Sequence, residues 1–220
     1  MTSILPGNLG VIAAAGVGPS TWDPANTTAY VSLTNSNKSA IASTTNPTNF
    51  GMTRGIKSHN SGKFYFEITI TTIGTVNDTN WWGAIDASMT VAASTSSAAY
   101  GPGVVPSPIS IGITIYPGSY FAAYVNGNSI GSGTIGSVPA VGDAIMVAID
   151  FTGKVFIGAQ NVWNNGTGVT GTADQTFPSG TTAYPSVALG KYQANPYFSG
   201  TLNSAGPFKY ALPSGFSPWG

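Results

Sequence analysis

Hydrophobic and polar residues alternate along much of this chain. Along residues 63–72, Phe64, Phe66, Ile68 and Ile70 fall on one side. Lys63, Tyr65, Glu67, Thr69 and Thr71 fall on the other. A period of two marks a β-strand with one face on a core and one face in water. A second run aligns Ile111, Ile113 and Ile115. A third aligns Ile145, Val147, Ile149 and Phe151, with Ala144, Met146, Ala148 and Asp150 opposite. Shorter candidates are residues 29–33, 39–43, 81–86, 120–125, 154–158, 183–189 and 208–212. Helical periodicity is hard to find. Asn126-Gly127 and Thr152-Gly153 separate consecutive runs, and such pairs supply the positive φ angles of tight hairpins. About ten short strands joined in this way predict an all-β sandwich or a barrel.

Two stretches, 87–108 and 160–180, are long and irregular, and loops of that length in a compact domain are usually functional or disordered. No internal repeat or shift in composition marks a second domain. Residues 1–20 read as an extended N-terminal arm and 21–220 as the sandwich domain. The arm carries Ile4, Leu5, Val11 and Ile12 but is broken by Pro6, Gly7, Gly10 and Gly16, so it makes no stable helix alone. Its apolar pairs are expected to dock on a neighbouring subunit. It lacks a basic leading region, a poor match to a secretory signal. No run of about 18 apolar residues occurs, so no membrane insertion is expected.

Composition changes the picture in one respect. Only 6% of the 220 residues are charged and the formal net charge is zero, while 42% are hydrophobic. About 25% charge is ordinary. Ser, Thr, Asn and Gly must therefore make the surface. Such a surface steers nucleic acid poorly and resists self-association little. Copies of the same chain are the expected partners. There is no cysteine, so neither disulfides nor thiolate metal sites arise.

Chemistry-bearing side chains are few: one His, one Glu and six Asp. A Ser-His-Asp arrangement would need His59, which lies in a polar stretch and reads as a solvated loop histidine. Glycoside hydrolysis would need Glu67 and Asp150 in one cleft, and nothing in the pattern places them there. Asn77-Asp78-Thr79-Asn80, with Asp86 near, is thin for calcium and reads as a turn. No enzyme activity, cofactor or metal is expected. Loop aromatics are the better candidates. Trp163 sits between Asn161 and Asn164, a ring and amides of the kind a sugar site uses, with Tyr192 and Tyr100 on other loops. The plainer reading has Trp163 plugging the end of the sandwich. Of Trp81 and Trp82, one ring should point inward and the other outward.

Several short motifs occur in a telling order. Trp22-Asp23-Pro24 opens the domain, and Gly62-Lys63-Phe64-Tyr65-Phe66-Glu67 follows. Gly142-Asp143-Ala144-Ile145, Ala148-Ile149-Asp150 and Lys154-Val155-Phe156-Ile157 come next, then Tyr184-Pro185-Ser186-Val187. Pro207-Phe208-Lys209-Tyr210 and Pro213-Ser214-Gly215-Phe216 close the chain. This set resembles the SPRY-like (B30.2-related) domain of the bacteriophage structural-protein type over about residues 20–217. Two departures stand out. Tyr197-Phe198-Ser199-Gly200 stands where the family commonly has Asn-Phe-Gly, and the segment after Ile157 follows the phage pattern only loosely. The resemblance implies a two-sheet antiparallel β-sandwich, a concanavalin-like jelly roll, without catalysis. It implies a virion structural protein at the particle surface: a fibre, tail or capsid-decoration component that contacts its own copies and other virion proteins. Attachment to a host-surface glycan is a further expectation. Two alternatives stay open: a carbohydrate-binding, lectin-like adhesin, and a cellular SPRY adaptor that binds peptides.

Overall fold

A computed structural model describes residues 18–43, 50–74, 80–91, 101–116, 120–131, 137–190 and 198–220. The chain folds into two antiparallel sheets packed face to face, so of the sandwich and barrel that the alternation left open it is the sandwich, as the resemblance implies. The first sheet runs, in spatial order, β1 (Trp22–Thr27), β4 (Phe50–Gly55), β14 (Ala183–Gly190), β6 (Asn80–Asp86), β7 (Ser110–Tyr116), β8 (Tyr120–Val125) and β9 (Asn128–Gly131). The second runs β12 (Val162–Trp163), β11 (Lys154–Ala159), β10 (Ala144–Asp150), β5 (Lys63–Thr72), β15 (Ser199–Asn203), β3 (Ser39–Ala42) and β2 (Val31–Thr34). The short β13 (Gln175–Thr176) pairs with β11, and β16 (Ser217–Pro218) adds a parallel pairing to β5. Among the described residues the only helical turn is a 3-10 turn at Gly168–Thr170.

The core lies between the sheets. Phe66 and Ile68 of β5 stand opposite Val147 and Ile145 of β10. They meet Trp82, Ile111, Ile113, Val187 and Leu189 of the other sheet in one buried cluster. One hairpin follows the turn chemistry in full, whereas at Thr152-Gly153 only the glycine takes positive φ, 117°. Asn126 and Gly127 both take positive φ, 51° and 80°, between β8 and β9, as a tight primed turn requires.

Both outer faces are also covered, and here the structure departs from the expected pattern. Tyr65, Glu67, Met146 and Ala148 were placed on a water-facing side by alternation, yet all four are buried. The C-terminal strap, residues 205–219, lies across them and brings Phe208, Tyr210 and Phe216 onto Tyr65, Met146 and Phe156. The strap includes residues 208–212, which alternation marked as a strand and which form none, because they lie over a sheet face instead of pairing at an edge. On the other sheet one ring of the Trp81-Trp82 pair points outward as expected; it is Trp81, and it is sealed with Met52, Ile85 and Met89 under Val104 and Val105. The cover is so close there that a Cβ on Gly112 would run into the Pro102 carbonyl. Part of each long loop thus serves as a lid on a sheet.

Trp219 ends the strap inside the core. Its N–H donates to the Tyr65 carbonyl (2.9 Å) and its indole N–H to the Lys57 carbonyl (3.0 Å). At the other end of the chain, Ser20 is buried. Its hydroxyl accepts from the Lys57 N–H (3.2 Å) and its carbonyl from the Ser204 hydroxyl (3.1 Å). Ser20 is therefore bonded into the sandwich.

Candidate functional site

The loop that carries Trp163 begins with a tight turn between β11 and β12. Gln160 and Asn161 take φ of 54° and 62° there, a conformation asparagine tolerates better than most residues. Asn161 is exposed at the tip. Trp163 pairs with Gly158, and its ring meets Tyr65 edge-on, centroids 6.3 Å apart. It therefore lies on the outer face of the second sheet, half buried, and not at the end of the sandwich. Asn164 points inward and is buried, donating to Asp174 Oδ1 at 3.0 Å. Asp174 Oδ2 accepts the Ile157 N–H at 2.9 Å. Burial pushes the Asp174 carboxyl above its ordinary range, against these two hydrogen bonds. The adjacent Asn165 accepts the N–H groups of Thr167 and Gly168 and donates to the carbonyls of Gly168 and Thr172. The asparagines around Trp163 thus shape and close their own loop, with Asn161 alone turned to solvent. Tyr100, Tyr192 and the arm residues Ile4, Leu5, Val11 and Ile12 lie outside the described residues.

The carboxylates show a common use. Six of the seven acidic residues are described, and each accepts at least one backbone N–H. Asp23 holds Ala25, Asp86 holds Ser88 and Ile109, and Asp143 holds Ala140. Asp150 holds Thr152 and Asp174 holds Ile157. Glu67 is the most committed. Its Oε1 accepts the Tyr65 hydroxyl (2.8 Å) and the Tyr210 N–H (2.9 Å), and its Oε2 accepts the Lys209 N–H (2.7 Å). Burial, reinforced by the Glu67 charge and hydrogen bond, pushes the Tyr65 hydroxyl far above its usual range. Asp150 also pairs with Lys63 at 2.9 Å, and Asp143 with Lys209 at 2.9 Å. Burial alone would raise both carboxyls, but their hydrogen bonds and lysines hold them below the usual range.

Register separates Glu67 from Asp150. Glu67 stands opposite Met146, and Asp150 opposite Lys63, four residues along. At ~3.3 Å per residue that is about 13 Å, beyond the ~5–9.5 Å that glycoside hydrolysis uses. His59 is not the solvated loop residue the sequence suggested. It bridges to Ala183, stacks on Phe64 at 3.6 Å and meets Trp219 edge-on at 4.8 Å. Its Nε2 lies 2.6 Å from the Trp219 carbonyl. Burial holds its pKa below the ordinary value, although the Trp219 carbonyl favours the charged form. Of the turn considered for calcium, Asn77, Asp78 and Thr79 lie outside the described residues. Asn80 is buried, donating to the Ile115 carbonyl at 2.8 Å and accepting from the Trp82 indole. Among the described residues no three His, Cys, Asp or Glu side chains cluster as metal ligands.

Sequence reasoning missed Glu67 as a structural centre. Its placement after Tyr65 was visible, but the strap that needs it arrives 142 residues later along the chain.

No protein-family model matches this chain, and no curated protein matches it. Solved structures do. The SPRY domain of human HERC1 superposes with a TM-score of 0.53 at 14% identity, covering 83% of this chain and 96% of that one. A human SPRY domain gives 0.52 at 18% identity, covering 80% and 96%. The TRIM65 PSpry domain gives 0.51 at 13% identity, covering 84% and 90%. The fold of this chain is that of SPRY domains.

Proposed function

We propose that this SPRY-fold chain is a non-enzymatic binding module. One observation carries the reading: every described carboxylate, and the one histidine, is engaged in holding backbone or covering a sheet. Acid–base and nucleophilic catalysis require such groups poised toward a substrate. Here their bonds fasten loops and the C-terminal strap. The test uses the full chain, immobilised and exposed to a host-surface extract. A retained ligand should elute chemically unchanged. Conversion of that ligand to a product refutes the reading.

We place the module at the surface of a bacteriophage particle, in contact with its own copies and with other virion proteins. The ordered motifs and the low charge support this, as does the apolar arm with Ile4, Leu5, Val11 and Ile12. Deleting residues 1–17 should abolish self-association in sedimentation while the thermal midpoint barely moves. A fall in midpoint with association intact assigns the arm to the domain instead. Peptide mass spectrometry of purified particles tests the location. A chain found with cellular proteins and missing from particles supports the SPRY peptide adaptor.

A further inference from the structure

The strap covers the second sheet only in part. Beside it an open groove of about 620 Å³ remains, within the ~300–1,000 Å³ typical of ligand sites. Its lining includes Asn35 and Lys38 from the turn between β2 and β3, Thr69 and Thr71 of β5, and Thr201 and Asn203 of β15. We propose that this groove binds a saccharide bearing a carboxylate, with the acid group at Lys38 and ring hydroxyls on the threonine rows. The proposal deepens the binding-module reading by naming a ligand class.

The floor takes its hydroxyls from Thr69, Thr71 and Thr201. Ser39 and Thr201 share a hydrogen bond of 2.7 Å, and Thr201 stands opposite Thr69 on the next strand. Thr71 and Ser199 share another of 2.7 Å. A hydroxyl has one donor and two lone pairs, so each keeps acceptor capacity after one such bond. Asn203 builds one wall, accepting from the Gly206 N–H and donating to the Pro207 carbonyl. The Thr69 hydroxyl, the Asn35 amide and the Lys38 ammonium have no partner among the described residues. Elsewhere Lys63 and Lys209 are paired with aspartates, while the groove lining contains no carboxylate.

The same features disfavour other ligands. β5 lies between β10 and β15, and β15 lies between β5 and β3. The floor therefore offers no unpaired strand edge to which a peptide could add. One lysine is too few for nucleic acid, whose binding is dominated by several phosphate contacts. Side-chain hydroxyls, an amide and a single cation match an acidic polyol.

The test is NMR shift mapping on the full chain with trigalacturonate and sialyllactose as acidic probes and maltotriose as the neutral one. At least one acidic probe should shift the amides of Thr69, Thr201 and Asn203, while maltotriose does not. Lys38→Met keeps the aliphatic stem and should weaken binding at least tenfold. Thr69→Val, nearly the same shape without the hydroxyl, should weaken it by about threefold or more. Silence from both acidic probes overturns the proposal, as does unchanged affinity in Lys38→Met. Equal shifts from tetraglutamate also overturn it, because the groove would then read charge alone. A chain that still retains a host-surface ligand but ignores both acidic probes refutes the groove and leaves the binding-module reading standing.

Discussion

Glu67→Gln tests whether one carboxylate fastens the C-terminal strap. The native Glu67 is fully buried and its two oxygens accept three hydrogen bonds, two of them from the strap backbone at Lys209 and Tyr210. Glutamine has nearly the same shape but only one acceptor oxygen. Whichever way the amide is turned, its NH2 faces at least one N–H of the strap. The variant loses a charge-assisted hydrogen bond, worth about 1.5–3 kcal/mol, and leaves a buried donor unmet at about 1–3 kcal/mol. Relief of carboxylate desolvation returns part of this. The net cost should be about 2–4 kcal/mol. At about 1.4 kcal/mol per tenfold, exchange of the Lys209 and Tyr210 amides should then accelerate about 30- to 700-fold. Hydrogen exchange read by NMR gives these two amides directly, and urea melts give the share that reaches global stability. Tyr65→Phe removes one hydrogen bond to the same carboxylate and should cost about 1.5–3 kcal/mol. Acceleration below threefold at both amides in Glu67→Gln would refute the clasp.

Other outcomes follow from the same packing. Phe66→Ala should cost about 3–5 kcal/mol in urea melts, and Tyr65→Ala should cost as much, since both rings are fully buried. A clearly smaller loss for Tyr65 would show that the strap leaves that face wet. His59 has a folded pKa below its unfolded 6.5. Its neutral form contributes stability that is full above 6.5 and lost as pH falls toward the folded value. The stability advantage over His59→Phe should therefore shrink from pH 7.5 to 5, and a constant difference in thermal midpoint counts against it. Asp150 has a folded pKa below 3.8, so its contribution is present above 3.8 and lost as pH falls through the lower folded value. Asp150→Asn should flatten the acid limb of the pH–stability curve, and an unchanged limb rules that out. Gly112→Ala should displace the cover at Pro102 and expose Trp81, read as a shift in tryptophan emission. Unchanged emission would mean that the cover yields.

Alternation and turn chemistry along the chain specified the all-β class, the long strands and which of their faces meets the core. Residues 63–72 form β5 with the expected face on the core, because a period of two admits one buried set. Asn126-Gly127 fixed its hairpin through local φ preferences. Tertiary structure decided what covers the second faces. Tyr65, Glu67 and Met146 alternate as a wet face should, and only the strap arriving from residues 205–219 makes them a second core. No local pattern encodes that contact, because the strap forms no strand and its bond to Glu67 spans 142 residues. The described site residues divide in the same way. Trp163 and Asn164 were visible as a ring beside an amide. That the ring would lie on Tyr65 and the amide turn inward to Asp174 depended on which sheet β12 joins. The groove at Lys38 and Thr69 was invisible along the chain, because two strands and a turn distant in sequence meet to line it.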